Sequence, residues 1–149
     1  MKHLFEQEQL ILRTRPEVFA FFADPSNLER LTPDSLHFEI RSPQPIAMRA
    51  GATIDYQLSL FGLKFGWRTL IESFEPESGF VDIQTKGPYR TWRHSHTFSD
   101  APGGTLVRDR VEYEVPFGPL GELARRLFVE RQLRRIFEFR RAAIETAFA

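Results

Sequence analysis

The chain reads as an α+β protein in which a curved antiparallel β-sheet of about seven strands wraps around one long C-terminal α-helix, with two short helices after the first strand. Three observations predict this. From Leu36 to Glu114, apolar and polar residues alternate with a period of two between turn signals. Beyond Pro116-Phe117-Gly118-Pro119, apolar residues recur at helical steps as far as Phe148 without another proline. No stretch rich in Gly, Ser or charge divides the 149 residues, so residues 1–149 are read as a single domain.

The elements follow in order. Leu4, Phe5, Leu10, Ile11 and Leu12 around a polar middle suit a first strand with one exposed face. Thr14 and Pro16 ahead of Val18, Phe19 and Phe22 start a short helix that Asp24-Pro25 ends, and Asn27–Leu31 adds a second helical stretch before Pro33. Strands are then predicted over Leu36–Arg41, Ile54–Leu60, Phe65–Glu72, Phe80–Thr85, Thr91–Phe98 and Thr105–Val115. Phe61-Gly62-Leu63-Lys64, Glu75–Gly79, Lys86-Gly87-Pro88 and Ser99–Gly104 are the turns between them, and such short links pair neighbouring strands antiparallel.

Leu120–Phe148 reads as one helix of about 40 Å, with Leu123, Leu127, Leu133, Ile136, Phe137, Ile144 and Phe148 as its apolar stripe. A sheet with one apolar face needs a cover, and only this helix is long enough. A strongly curved sheet leaves a space beneath it.

Composition narrows the function classes. Twenty basic and twenty acidic residues give a net charge of zero, so no global field draws the protein to nucleic acid. With no cysteine, disulfides, thiolate metal ligands and a cysteine nucleophile are excluded. Glu6 to Gln9 interrupt any signal-peptide apolar run and no stretch of about 18 apolar residues exists, so the expectation is a cytoplasmic protein without an integral membrane segment. Fifteen Phe, two Trp and three Tyr are side chains that line a cavity as readily as they fill a core.

The polar residues with chemical potential cluster late in the sheet. On the strand Thr91–Phe98, Trp92, His94, His96 and Phe98 share one face; on the next, Asp109 is the sole charge on a face made of Thr105, Val107, Val111, Tyr113 and Val115. With Phe98 opposite Thr105, antiparallel counting puts His94 beside Asp109. A slip of two puts His96 there instead. His94, His96 and Asp109 are therefore the candidate acid–base residues, and mutual satisfaction of buried charge in the wall is the simpler reading. His94-x-His96 with Asp109 has ligand types suited to zinc or non-haem iron, but a two-residue spacing on a strand does not make a site, so neither metal nor cofactor is assigned.

The opening strand, Arg15-Pro16-Glu17-Val18-Phe19, Asn27-Leu28-Glu29-Arg30-Leu31-Thr32-Pro33, Trp92–Phe98, Gly104-Thr105 with Asp109–Tyr113, and Pro116-Phe117-Gly118 together resemble the START and polyketide cyclase-like superfamily, also called SRPBCC, whose members have the helix-grip fold. The resemblance covers nearly the whole chain and points to a bacterial ligand-binding subgroup. It implies a deep cavity between sheet and helix for a lipid, polyketide or other small hydrophobic ligand, in a superfamily that holds both carriers and enzymes.

The expected lining is Phe38, Tyr56, Leu58, Trp67, Ile71, Trp92, His94, His96, Asp109, Tyr113, Leu127 and Phe137. Arg131 and Arg140 border the helix's apolar stripe, and either could reach an acidic ligand group or Asp109. The main expectation is a non-catalytic binder, monomeric or homodimeric. The alternative is a cofactor-free cyclase or dehydratase that uses a His–Asp pair.

Overall fold

Alternating strands that follow one another through tight turns pair with their chain neighbours, and the computed structural model, which describes residues 1–149, is built this way throughout. The strands are β1 His3–Ile11, β2 Glu39–Ile40, β3 Thr53–Leu60, β4 Leu63–Glu75, β5 Gly79–Lys86, β6 Thr91–Ala101 and β7 Gly104–Glu114. They form one sheet in the order β1-β7-β6-β5-β4-β3-β2 with every neighbouring pair antiparallel. Two register shifts lie between β4 and β5: beside Arg68 and Thr69 the extra residue is Thr85 of β5, and between Ile71 and Ser73 it is Glu72 of β4. Bulges of this kind bend a strand and increase its twist, which curls the sheet around its apolar face.

Helix α1, Arg15–Phe22, follows β1, and its Val18, Phe19 and Phe22 are buried. They join Ile11, Phe80, Phe98, Val107 and Ile144 in a solid aromatic plug at one end of the sheet. Asn27–Leu31, expected as a helical stretch, is instead a 3-10 turn over Pro25–Leu28, capped by the Asp24 side chain accepting from the Ser26 backbone N–H. The strand expected over Leu36–Arg41 shrinks to Glu39–Ile40. Leu36 ends a second 3-10 turn, Asp34–Leu36, and His37 takes a left-handed conformation at φ 47°.

The hairpin turns are tighter than expected. β3 and β4 meet through Phe61-Gly62 alone, both at positive φ, with Leu60 opposite Leu63. β6 and β7 run on to Ala101 opposite Gly104, so that Phe98 faces Val107 and His96 faces Asp109. The slipped register is thus the one formed, because a two-residue Pro102-Gly103 link replaces the six-residue loop.

The C-terminal helical run is interrupted. Helix α2, Gly118–Ala124, passes through a π-turn at Arg125–Val129 into α3, Glu130–Ala147. Leu133, Phe137 and Ile144 of α3 are buried against the sheet. Leu127, expected on the same stripe, is 51% exposed. Six residues advance a helix by about 600°, which leaves Leu127 about 120° away from the face of Leu133. The extra residue of the π-turn then brings Gly121 and Arg125 inward in place of Leu123. No helix is long and apolar enough to cross a membrane.

Candidate functional site

Between α3 and the concave face of the sheet lies a cavity of about 160 Å³, of whose 24 lining residues 17 are hydrophobic. The wall is aromatic toward β3 and β4. Tyr56 stacks on Trp67 at 5.9 Å and 14°, and Trp67 meets Trp92 edge-on at 5.3 Å. Phe38, Leu58, Ile71, His94, His96 and Phe137 complete the set of predicted residues that line it, and the helix adds Leu133, Ile136 and Arg140. Phe22, Pro25, Leu28 and Thr32, from the segment after β1, also line it.

Three predicted lining residues stand elsewhere. Leu127 is outside on the π-turn. Tyr113, 3% exposed, packs behind the wall with Val111, Leu133 and Phe137. Asp109 lies beneath the two histidines rather than on the cavity surface. Of the two arginines, Arg131 is exposed and Arg140 lines the cavity.

The polar floor is built by three adjacent strands. Asp82 of β5 sits opposite His94 of β6, and His96 of β6 sits opposite Asp109 of β7. The short contacts run diagonally, as strand twist brings offset side chains together. His96 Nε2 bonds Asp82 Oδ2 at 2.7 Å, and His94 Nε2 bonds Asp109 Oδ1 at 2.8 Å. His96 Nδ1 stands 3.4 Å from that same Asp109 oxygen, close enough for charge attraction but without a hydrogen bond. The imidazoles stack at 3.7 Å, and Phe80 stacks on the far side of His96 at 4.2 Å.

These contacts push the two histidines in opposite directions. Burial works against a charged imidazole in both. In His94 burial and the charge of His96 win over Asp109, and its pKa falls below 6.5. In His96 the pull of Asp109 and Asp82 outweighs burial, and its pKa rises above 6.5. Burial is the strongest single influence and would raise both carboxylates, but the hydrogen bonds and charges of the histidines, with the charge of Arg140, together outweigh it, holding Asp82 below 3.8 and Asp109 well below it. An ionised Asp109 can only accept, so the neutral His94 carries its proton on Nε2 and keeps a lone pair on Nδ1. Burial likewise lifts Tyr56, whose hydroxyl lies 3.3 Å from Thr69 Oγ1, and keeps it neutral.

Asp82, His94 and His96 place ligand atoms within 4.8 Å of one another, and two imidazoles with a carboxylate suit zinc or iron(II). The same atoms already bond one another and Asp109, and the positive Arg140 shares the chamber. The trio is therefore read as a proton-holding network. Asp82 is not among the residues singled out from sequence. Its signal is present in Phe80-x-Asp82-x-Gln84, one strand face with a charge on it, but Val81 and Ile83 on the other face are just as apolar.

The profile of the family described as polyketide cyclase / dehydrase and lipid transport matches residues 13–139. The chain belongs to that family. Curated proteins give no sequence match. Among solved structures, the chain is similar to TTHA0849 from Thermus thermophilus, with a TM-score of 0.75 and 16% identity over 99% of this chain and 100% of that one. It is similar to the Zhui aromatase/cyclase from Streptomyces sp. R1128, with a TM-score of 0.76 and 11% identity over 97% and 92% of the two chains. The ginseng major latex-like protein 151 from Panax ginseng gives 0.68 and 13% over 99% and 97%. At these identities the likeness shows the helix-grip fold that the family member adopts here.

Proposed function

We propose that this protein binds one small, largely apolar molecule in the chamber between α3 and the sheet, with the His94–His96 floor orienting it. The observation that carries the reading is the chamber itself. A cavity of about 160 Å³ beneath a helix is far larger than a packing defect, and an apolar hollow of about 150 Å³ accepts benzene. Interiors otherwise pack densely, so a hollow of this size is a cost that ligand burial offsets.

Titration with a small apolar fluorophore such as 1-aminonaphthalene, which is of the chamber's size, tests it. Saturable one-to-one uptake is expected. Ile136→Trp, which fills the chamber from the helix side, should weaken uptake by at least about tenfold. Non-saturable binding, or equal uptake by the filled variant, would contradict the proposal.

A second reading, a cofactor-free lyase of cyclase or dehydratase type, is favoured by one specific observation. His96, whose pKa two carboxylates raise, stacks at 3.7 Å on His94, whose pKa burial lowers. Such a pair places an acid and a base in one apolar site. It would exchange the methyl protons of bound 2-acetylnaphthalene for deuterium in D₂O. Asp82→Asn should slow that exchange by at least about a hundredfold while leaving dye uptake intact. Exchange no faster than in buffer, or unaffected by the substitution, would remove the enzymatic reading.

A further inference from the structure

The buried side-chain nitrogens and oxygens of this protein are almost all satisfied. Three are not: Trp67 Nε1, His96 Nδ1 and Arg140 Nε, and all three belong to residues that line the chamber. His96 Nδ1 leans toward Asp109 at 3.4 Å. The other two are N–H donors with nothing to donate to. A buried donor left unmade is expensive, and a guanidinium is the costliest donor of all.

Arg140 is held in place without being neutralised. Its guanidinium carbon lies 5.7 Å from the Phe22 ring centroid and 5.8 Å from that of Phe137. The chamber's carboxylates are engaged elsewhere, Asp82 by His96 and Asp109 by His94, and they feel Arg140 only through space. A rigid fork of donors, set beside two aromatic rings and lining an apolar hollow, matches one group best: a planar pair of anionic oxygens.

We propose that the ligand of this chamber carries a carboxylate, which the Arg140 guanidinium receives, while a compact ring-sized apolar body lies against Tyr56, Trp67 and Trp92. This rests on the reading that the chamber binds an apolar molecule, and it adds the charge and the end of the chamber at which that charge sits. The unpartnered Trp67 N–H is a second donor for a ligand oxygen farther along the body.

Three naphthalenes of nearly equal size test it by calorimetry or by displacement of 1-aminonaphthalene: 2-naphthoic acid, 2-acetylnaphthalene and 2-ethylnaphthalene. The acid should bind at least about tenfold more tightly than the ethyl compound, with the ketone between them. Arg140→Met preserves the packing over Phe22 and Phe137 and should abolish the advantage of the acid while leaving the ethyl compound within about threefold. Arg140→Lys keeps the charge without the fork and should retain part of the advantage, which covers the case in which the methionine variant fails to fold. Equal binding of all three compounds, or an advantage of the acid that survives Arg140→Met, overturns the carboxylate while leaving the apolar chamber standing. Binding of none of them, with 1-aminonaphthalene also rejected, overturns both.

Discussion

At the scale of the residue, everything distinctive converges on Asp109. It is 4% exposed, and its Oδ1 serves His94 directly and His96 by charge. Replacing one partner of a buried ion pair strands the other, so Asp109→Ala should cost about 3 kcal/mol in urea unfolding. Asp109→Asn should lower the pKa of His96 from its raised value, read by NMR titration of the imidazole; an unmoved His96 would show that Asp82 alone sustains it.

The pH dependence follows from the directions of shift. Asp109 is depressed, so its stabilisation is complete above 3.8 and is lost as pH falls through its native value. His94, also depressed, acts in the same sense below 6.5. His96 is raised, so its stabilisation is complete below 6.5 and fades as pH climbs through its native value. Urea unfolding should therefore show acid destabilisation that Asp109→Asn reduces. An identical acid limb in the variant would place the acid-labile groups elsewhere.

At the scale of the element, close backbone approach decides which positions tolerate change. A Cβ added at Gly121 of α2 would run into the Pro116 backbone carbonyl, whereas one at Gly66 of β4 would meet nothing within 4 Å. Gly121→Ala should lower stability by about 1–3 kcal/mol, or several degrees in Tm, with Gly66→Ala close to neutral. Equal Tm values for the two variants would refute the fit of α2 against its leading turn.

The elements are also where sequence is most and least legible. β6 and β7 are the most readable strands because their buried residues recur at every second position, and β3 keeps the same period at Ile54, Leu58 and Leu60. The Leu36–Arg41 strand is not readable, since a 3-10 turn bonding His37 N–H to Asp34 O captures its first residues, and alternation carries no mark of that competition. The π-turn is hidden for a different reason. Leucines at 123 and 127 satisfy a four-residue step locally, and only the six-residue gap to Leu133 betrays the lost phase.

At the scale of the molecule, a sheet bent by the bulges between β4 and β5 and a helix laid across it enclose space because the plug of α1 residues fills one end and not the middle. The lining is largely legible, since inward positions of strands and helix fall on period. Tyr56, Trp67, Trp92, His94 and His96 stand where alternation puts them. Asp109 and Tyr113 fall behind the wall because a concave face has depth that a face assignment lacks. Arg140 can be placed on the helix stripe, but whether it meets a carboxylate depends on the β6–β7 register and on Asp82.

The chain contains two tryptophans, and both line the chamber, so their indole N–H signals report from inside it. The most direct test follows both in a ¹⁵N-resolved NMR titration with 2-naphthoic acid. Saturable shifts of the Trp67 and Trp92 signals at one equivalent, lost in Ile136→Trp, are the predicted result. Indole signals that stay fixed while the ligand binds would contradict an occupied hollow beneath α3.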